Sequence, residues 1–366
     1  MLAKKTIKCK IIGLTNIKKD TLNNEYKNFQ EFLQLKNIFW WKKDLGENLY
    51  SANKQQAERF YKTIKKHRKY PISLRRDLIK IEQNQSKLSR YWLKIPVKLR
   101  RKLWVAIRPP KDIDFSQFKI CESKLYKVKN DFFVNITIQK EVKIKSSYSS
   151  ILSIDLGEKV IATSVVLVNQ KPQFYGREVR GIRRKYAYIR KNLGKRKLLK
   201  EIKRFKNKEQ RIVNNILHNI SKQIVEQAEQ INSVIVLGDL KGIRKSTRGK
   251  RFNRIISNMP YLKLTQMITY KANWRGIKVI KISEKGTSKT CSRCGSEGTR
   301  PYQGLFKCKK CRYQVNADFN GAKNILNSSL DYMSREGVVV NQPKTHPRDG
   351  KLSSECSKDA HDFSRE

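Results

Sequence analysis

Ile151-Leu152-Ser153-Ile154-Asp155-Leu156-Gly157 is the stretch whose reading decides the fold. An apolar run of this length, closed by glycine, reads as a buried strand. A second run, Val160–Val168, follows at once as its hairpin partner. Asp155 is the anomaly. A carboxylate among aliphatic side chains is costly unless a cation or a donor meets it. Read alone, a turn-capping aspartate ahead of Gly157 accounts for it equally well.

Downstream, residues 177–230 read as a long helical hairpin. Residues 234–240 read as a buried strand, 260–275 as a helix, 277–283 as another strand and 317–329 as a last helix. Strand, hairpin, connecting helices, parallel strand, strand and helix follow the order of a ribonuclease-H-like fold. The last helix begins Asn316-Ala317-Asp318-Phe319-Asn320-Gly321-Ala322, and its small residues allow close packing on a sheet. Asp318 is either a second site acid or a first-turn acid favoured by the helix dipole.

Upstream, residues 1–12 alternate as a strand, and 94–148 return to strand patterning. Between them, Phe29, Phe32, Leu33, Leu35 and then Leu74, Leu78, Ile81 recur at three-four spacing. This predicts one β-rich domain built from 1–12 and 94–148, interrupted by a helical insertion over 13–93. Ser146–Ser150 marks the boundary to the next domain.

The chain has 366 residues and a formal charge of +51, from 82 Lys plus Arg against 31 Asp plus Glu. Self-repulsion on that scale calls for a polyanionic partner, and nucleic acid fits better than a small anion. Fifteen of the cations fall in 177–208. Arg183, Arg184, Lys185, Arg190 and Lys191 are candidate phosphate ligands, as are Lys195, Arg196 and Lys197. Arg244 and Lys245 follow in a Gly-containing basic loop. Phe39–Lys43 and Tyr61–Tyr70 interleave aromatics with cations, a pattern open to base stacking or to core packing. No apolar run approaches the roughly 18–20 residues of a membrane span. The N-terminus lacks the apolar core of a secretory leader.

Cys291-Ser-Arg-Cys294 and Cys308-Lys-Lys-Cys311 stand 13 residues apart. Two such turns aim four thiolates at one point and complete a tetrahedral shell for Zn²⁺. No position stays open, so that zinc is structural. Cys9, Cys121 and Cys356 read as unpaired thiols.

With Phe132–Ile138, Ile154–Gly157, Val234–Leu240, Gly286–Gly295, Phe306–Cys311 and Asn316–Ile325 together, the chain resembles the TnpB family of transposon-associated RNA-guided nucleases, relatives of compact type V CRISPR effectors. The resemblance is specific over roughly 130–328 and compositional before it. It implies a multidomain α/β protein. A RuvC-like (ribonuclease-H-like) nuclease domain would occupy 149–290 and 312–330, with the 177–230 hairpin inside it and a zinc ribbon inserted at 291–311. An N-terminal wedge β-barrel would occupy 1–12 and 94–148, with a helical recognition insertion at 13–93 and a disordered tail at 331–366. It further implies a guide RNA, double-stranded target DNA beside a short adjacent motif, two Mg²⁺ ions, a prokaryotic cytoplasmic setting on the nucleoid, and one or two protomers per RNA.

On that resemblance Asp155 and Asp318 are catalytic acids. The family usually carries Glu at the end of the middle strand, where this chain has Gly238. Three readings compete: Glu284 has taken over from the neighbouring strand, Asp239 substitutes, or the site is dead and the protein is a guided DNA-binding repressor. Neighbouring strands lie about 4.8 Å apart, a gap that a Glu side chain spans, whereas Asp239 points to the opposite face. A basic RNA-binding accessory protein is a further reading of the charge.

Overall fold

The structure is a computed structural model. It describes residues 1–38, 46–65, 68–84, 86–98, 103–110, 113–205, 207–240, 249, 260–284, 286–302, 304–335 and 339–340. The chain divides into two compact units, Met1–Glu141 and Val142–Glu366.

The first unit opens with strand β1 (Leu2–Ile12), followed by helices α1 (Asn16–Ile38) and α2 (Ser51–Phe60). Strands β2 (Ile72–Leu74), β3 (Lys80–Gln83), β4 (Tyr91–Ile95), β5 (Leu103–Arg108), β6 (Lys119–Val128) and β7 (Asp131–Glu141) complete it. They form one antiparallel sheet in the order β2-β6-β7-β1-β5-β4-β3. Among the described residues no pairing joins β2 to β3, so the sheet has two edges and is not a hydrogen-bonded barrel. Strict alternation turns Ala3, Ile7, Cys9 and Ile11 of β1 inward, beside Phe132, Val134, Ile136 and Ile138 of β7. Burial pushes the Cys9 thiol up to about 12.

Leu22, Tyr26, Phe29 and Leu33 make the buried stripe of α1, and the Tyr26 ring meets Phe132 edge-on at 6.2 Å. On the same helix Glu25 is buried. Its Oε1 accepts from the Tyr50 amide (3.1 Å) and Asn53 Nδ2 (2.7 Å), and its Oε2 from the Lys98 amide (3.2 Å). One carboxylate thus ties α1 to α2 and to the chain entering β5.

The helical insertion is shorter than its periodicity predicts. Leu74, Leu78 and Ile81 belong to β2, a turn and β3, not to a helix. Two strands of three and four residues flank a tight turn, closed by the Leu78 amide on the Arg75 carbonyl (3.2 Å) with the Arg75–Asp77 ion pair (2.6 Å) beside it, so their apolar residues fall at a three-four spacing without a helix. Among the described residues of 13–93, helix is confined to Asn16–Ile38 and Ser51–Phe60.

The second unit begins earlier than Ser146. Strand β8 (Ser147–Tyr148) packs here, and the Tyr148 hydroxyl accepts from the Lys278 amide at 2.9 Å. Next come β9 (Ser150–Asp155), β10 (Ala162–Val166), β11 (Pro172–Tyr175), α3 (Glu178–Lys195), α4 (Leu199–Phe205) and α5 (Lys208–Gln230). Then follow β12 (Ser233–Asp239), α6 (Tyr261–Trp274), β13 (Val279–Ser283), β14 (Gly298–Thr299), β15 (Leu305–Cys308), β16 (Gln314–Asn316), α7 (Ala317–Arg335) and β17 (Val339–Val340). The main sheet runs β11-β10-β9-β12-β13, with β9, β12 and β13 parallel and the hairpin β9-β10-β11 antiparallel.

Both faces of that sheet are covered, which explains its near-continuous apolar strands. Leu152, Ile154, Ile235 and Leu237 face Leu217, Ile224, Leu264 and Ile268 of α5 and α6. Ile151, Val234, Val236 and Ile280 face Ala322, Ile325 and Leu326 of α7. Residues 331–335, expected to belong to a disordered tail, are part of α7. Met333 prolongs the buried stripe of α7, and β17 pairs in parallel with β8. Residues 341–366 lie outside the described residues. No described helix is long and apolar enough to cross a membrane.

Candidate active site and metal centre

Parallel strands β9, β12 and β13 end at one edge of the sheet, where α/β folds place their sites. Parity sorts the residues there. Ile151, Ser153 and Asp155 alternate onto the α7 face, as do Val234, Val236 and Gly238, and then Ile280, Ile282 and Glu284. Ser153 Oγ donates to the Ala322 carbonyl (2.9 Å), drawing α7 onto that face. Asp239 has the parity of Ile235 and Leu237 and sits exposed, opposite Ser283.

Two glycines make room for acids. A β-carbon on Gly321 would lie 2.5 Å from Asp155 Oδ2, so α7 passes directly over that carboxylate. A β-carbon on Gly238 would overlap Oε1, Cδ and Cγ of Glu284. The Glu284 side chain therefore fills the space left by the missing side chain on the neighbouring strand. Asp318, in the first turn of α7, completes the group; a β-carbon on Gly157 would lie 3.8 Å from its Oδ1.

All three carboxylates are half-buried and hold protons more tightly than usual. Burial, and then the Asp318 charge, push Asp155 up to about 7, against the pull of Arg300. Burial, and then the charges of Asp155 and Asp239, push Glu284 up to about 8. Burial raises Asp318, while Arg300, Lys159 and Arg177 hold it down. Glu284 Oε1 is buried with no hydrogen-bond partner. Mutual repulsion together with an orphaned carboxylate oxygen fits an oxygen-liganded divalent cation such as Mg²⁺.

The turn after Glu284 is clamped to the helix that carries Asp318. Thr287 donates its amide (3.2 Å) and hydroxyl (2.9 Å) to the Glu284 carbonyl. Asn324 Nδ2 donates to the Thr287 and Thr290 carbonyls, both at 2.7 Å. Asn320 donates to the Thr290 carbonyl (2.8 Å) and accepts from the Ser292 amide (2.9 Å). Sequence reasoning assigned these amides no role. Their signal was two asparagines four apart on an otherwise small and apolar helix face, because a buried amide needs partners. Arg300 was missed as well. Its Nε donates to the Ser288 carbonyl (3.1 Å) and its second terminal nitrogen to the Ala317 carbonyl (3.3 Å), next to Asp318.

The clamped segment leads into the cysteines. Strands β14, β15 and β16 form a small antiparallel sheet around buried Phe306. Cys291, Cys294, Cys308 and Cys311 converge there, with all four Sγ atoms within 4.8 Å of one another. Sulfur separations are 3.7 Å for Cys291–Cys311 and 3.5 Å for Cys294–Cys308. Zn–S bonds of about 2.3 Å at tetrahedral angles place sulfurs about 3.8 Å apart. Gly295, at φ +74°, provides the left-handed residue that closes the first knuckle, with its amide on the Cys291 carbonyl (2.9 Å). The four thiols fit a structural zinc, and Cys9 and Cys121 are free.

Comparison with known proteins places this geometry. The family description "Cas12f1-like, TNB domain" matches residues 261–325, which hold β13, the clamp, the cysteines and the start of α7. A TnpB-like protein of Methanocaldococcus jannaschii is 30% identical over 206 residues, covering 52% of this chain and 73% of that one. The chain belongs to the TnpB-like family. A CRISPR-associated endodeoxyribonuclease Cas12f1 of Sulfoacidibacillus thermotolerans is 34% identical over 232 residues, and the match spans 57% of this chain but only 53% of that protein. The structure of a Cas12f1–sgRNA–target DNA complex aligns with a TM-score of 0.56 at 16% identity, over 86% of this chain and 82% of that one, a likeness of fold.

As a TnpB-like protein, the chain presents its basic helix unevenly. Arg184, Lys185, Lys191, Lys195, Arg196 and Lys197 are exposed. Arg190 instead pairs with Glu209 on α5 at 2.5 Å, and Arg183 is half-buried near the same carboxylate. Arg244 and Lys245 lie outside the described residues, as does Phe39–Lys43. Tyr61 and Tyr70 pack edge-on at 5.1 Å, and the Tyr61 hydroxyl donates to the Pro71 carbonyl, so this pair is core.

Proposed function

We propose that the chain is an RNA-guided DNA endonuclease whose RuvC-like second unit hydrolyses phosphodiester bonds. The supporting observation is the Glu284 carboxylate, which reaches over Gly238 beside Asp155 and under α7 with one oxygen unpartnered. Asp155, Glu284 and Asp318 would hold Mg²⁺. Magnesium there supplies Lewis acidity and neutralises charge at the phosphate.

The chain's own residues do the rest. Arg300 is held by backbone carbonyls beside Asp318, where its guanidinium meets a phosphate oxygen entering from the open edge. Lys159 and Arg177 add positive field on the Asp318 side and offset the repulsion between an acidic cluster and a polyanionic strand. Asn320 and Asn324 hold the Glu284 turn against α7, fixing the acids relative to one another. The zinc ribbon anchors both Arg300 and that turn. The exposed cations of α3 take the backbone of the guide or of the heteroduplex. The first unit serves as the wedge domain with its helical insertion.

The test is Mg²⁺-dependent cleavage of motif-flanked DNA by the ribonucleoprotein, comparing wild type, Glu284→Ala and Asp239→Ala. Cleavage lost in the first variant and kept in the second is expected. The opposite pattern moves the acid to Asp239. A wild type that binds guided DNA tightly and cuts nothing makes the chain a repressor.

A further inference from the structure

We infer that Lys159 is a further catalytic residue of the carboxylate site, its ammonium meeting a non-bridging oxygen of the phosphate under attack; the inference rests on the nuclease reading above. Lys159 stands in the turn that joins β9 to β10, just beyond Asp155. The turn is narrow and passes beside Asp318. A β-carbon on Gly157 would lie 2.7 Å from the Val160 carbonyl oxygen and 3.8 Å from Asp318 Oδ1. It is also pinned on both sides of Lys159. Glu158 pairs with Arg180 of α3 at 3.2 Å, and the Ile161 amide donates to the Tyr175 carbonyl at 2.9 Å. Val160 and Ile161 are buried, and Gly176, at φ +73°, leaves room for Ile161. The fold therefore fixes the backbone of Lys159, while its side chain is exposed.

The far end of that side chain lies against the ribbon. Lys159 Nζ is 3.8 Å from where a β-carbon on Gly304 would stand. The Gly304 carbonyl accepts from the Ala317 amide at 3.0 Å, one residue before Asp318. Lys159 thus runs from the end of the first strand toward the start of α7, along the Asp318 side of the site. Its charge is felt there: with Arg300 and Arg177 it holds the Asp318 carboxyl down against the effect of burial. The three cations differ in what else engages them. Arg300 gives two nitrogens to backbone carbonyls, and Arg177 lays its guanidinium over the Phe174 ring at 4.9 Å. Among the described residues Lys159 makes no hydrogen bond or ion pair.

A lysine that merely answered the acids would close an ion pair with Asp318. Lys159 exerts its field on Asp318 without pairing, and its three N–H groups remain for a ligand. The ligand of this edge is a phosphodiester. As a water oxygen bonds to phosphorus and the bond to the leaving oxygen breaks, negative charge grows on the oxygens around phosphorus. The water gives up a proton and the leaving oxygen takes one, both exchanged with solvent, and Lys159 keeps its own. A compact charge on a four-carbon stem with a fixed base can follow those oxygens through the step, which the doubly tethered Arg300 cannot. Removing one such donor from a transition state costs on the order of 100-fold in rate.

The test is single-turnover cleavage by the ribonucleoprotein at saturating guided DNA and Mg²⁺, with binding of the same DNA measured separately. Lys159→Met keeps the bulk of the stem and drops the charge. It lowers the cleavage rate by about 100-fold and leaves guided binding within about twofold of wild type. Lys159→Arg recovers the rate to within about tenfold, since the charge returns in a different shape. Arg177→Gln removes a cation of the same field that is engaged elsewhere, and costs less than about fivefold. In Lys159→Ala, added ethylammonium raises the rate saturably, whereas tetramethylammonium, which has no N–H, does not. Hydrogen exchange over residues 304–316 matches wild type in every Lys159 variant, which a merely structural contact with Gly304 would not allow. A wild type that cuts nothing overturns the nuclease reading and this inference with it. Where the wild type cuts, full activity in Lys159→Met, a matching loss of guided binding, an equal loss in Arg177→Gln, failure of both arginine and ethylammonium to rescue, or lost protection in the ribbon would each overturn the role of Lys159 alone.

Discussion

Gly238→Ala is the sharpest probe of the carboxylate site, because it adds one methyl group and removes nothing. The added carbon would overlap three atoms of Glu284, and ordinary contact requires about 3.4 Å, so the carboxylate must move by more than about 1 Å. Misplacement by about 1 Å costs on the order of 100-fold in rate, or about 2.7 kcal/mol of barrier. The fold should tolerate the change, since alanine suits a strand interior better than glycine. Single-turnover cleavage by the saturated ribonucleoprotein measures the effect, with guided DNA binding as the control. We expect binding unchanged and cleavage reduced by about 100-fold. The reciprocal swap, Gly238→Glu with Glu284→Gly, returns the acid to the middle strand and should restore cleavage to within about tenfold of wild type. Wild-type cleavage by Gly238→Ala would refute the role given to Glu284, because a carboxylate that can move freely at no cost is not holding a metal.

Two further outcomes follow from the same geometry. Cys308→Ser should abolish bound zinc, and hydrogen exchange should then show lost protection over residues 286–316 together with lost cleavage, since Arg300 and the asparagine clamp share that segment; retained protection would contradict the anchoring role. The acids also predict a pH dependence. Asp155 and Glu284 hold protons at about 7 and 8 in the folded chain, above their ordinary values, so the folded state binds more protons than the unfolded one between about pH 4 and 8. In zinc-loaded, magnesium-free buffer the melting temperature should therefore fall as pH rises through that window. Asp155→Asn with Glu284→Gln should flatten the trend, and added Mg²⁺ should restore the wild type at the upper end. An equal slope in the double variant would contradict it.

What could be read from the sequence was whatever carried a visible cost. An aspartate closing an apolar strand, four cysteines in two knuckles, and a glycine where an acid was expected each break a local rule, and each led to the sheet edge or the ribbon. Strand parity then separated Glu284 from Asp239 without coordinates, because a period of two leaves no freedom at the end of a strand. Arg300 was illegible for the opposite reason. Among 82 cations, one arginine in a ribbon carries no contrast, and only its two backbone carbonyl partners distinguish it. Arg190 was illegible in a similar way: charge counting cannot show that its guanidinium pairs with Glu209. Residues 72–83 were misread because strands of three or four residues around a turn are shorter than the window over which periodicity separates helix from strand. In a chain this basic, charge alone calls for a polyanionic partner, whereas the few carboxylates gathered at one sheet edge single out the place where chemistry on it would be done.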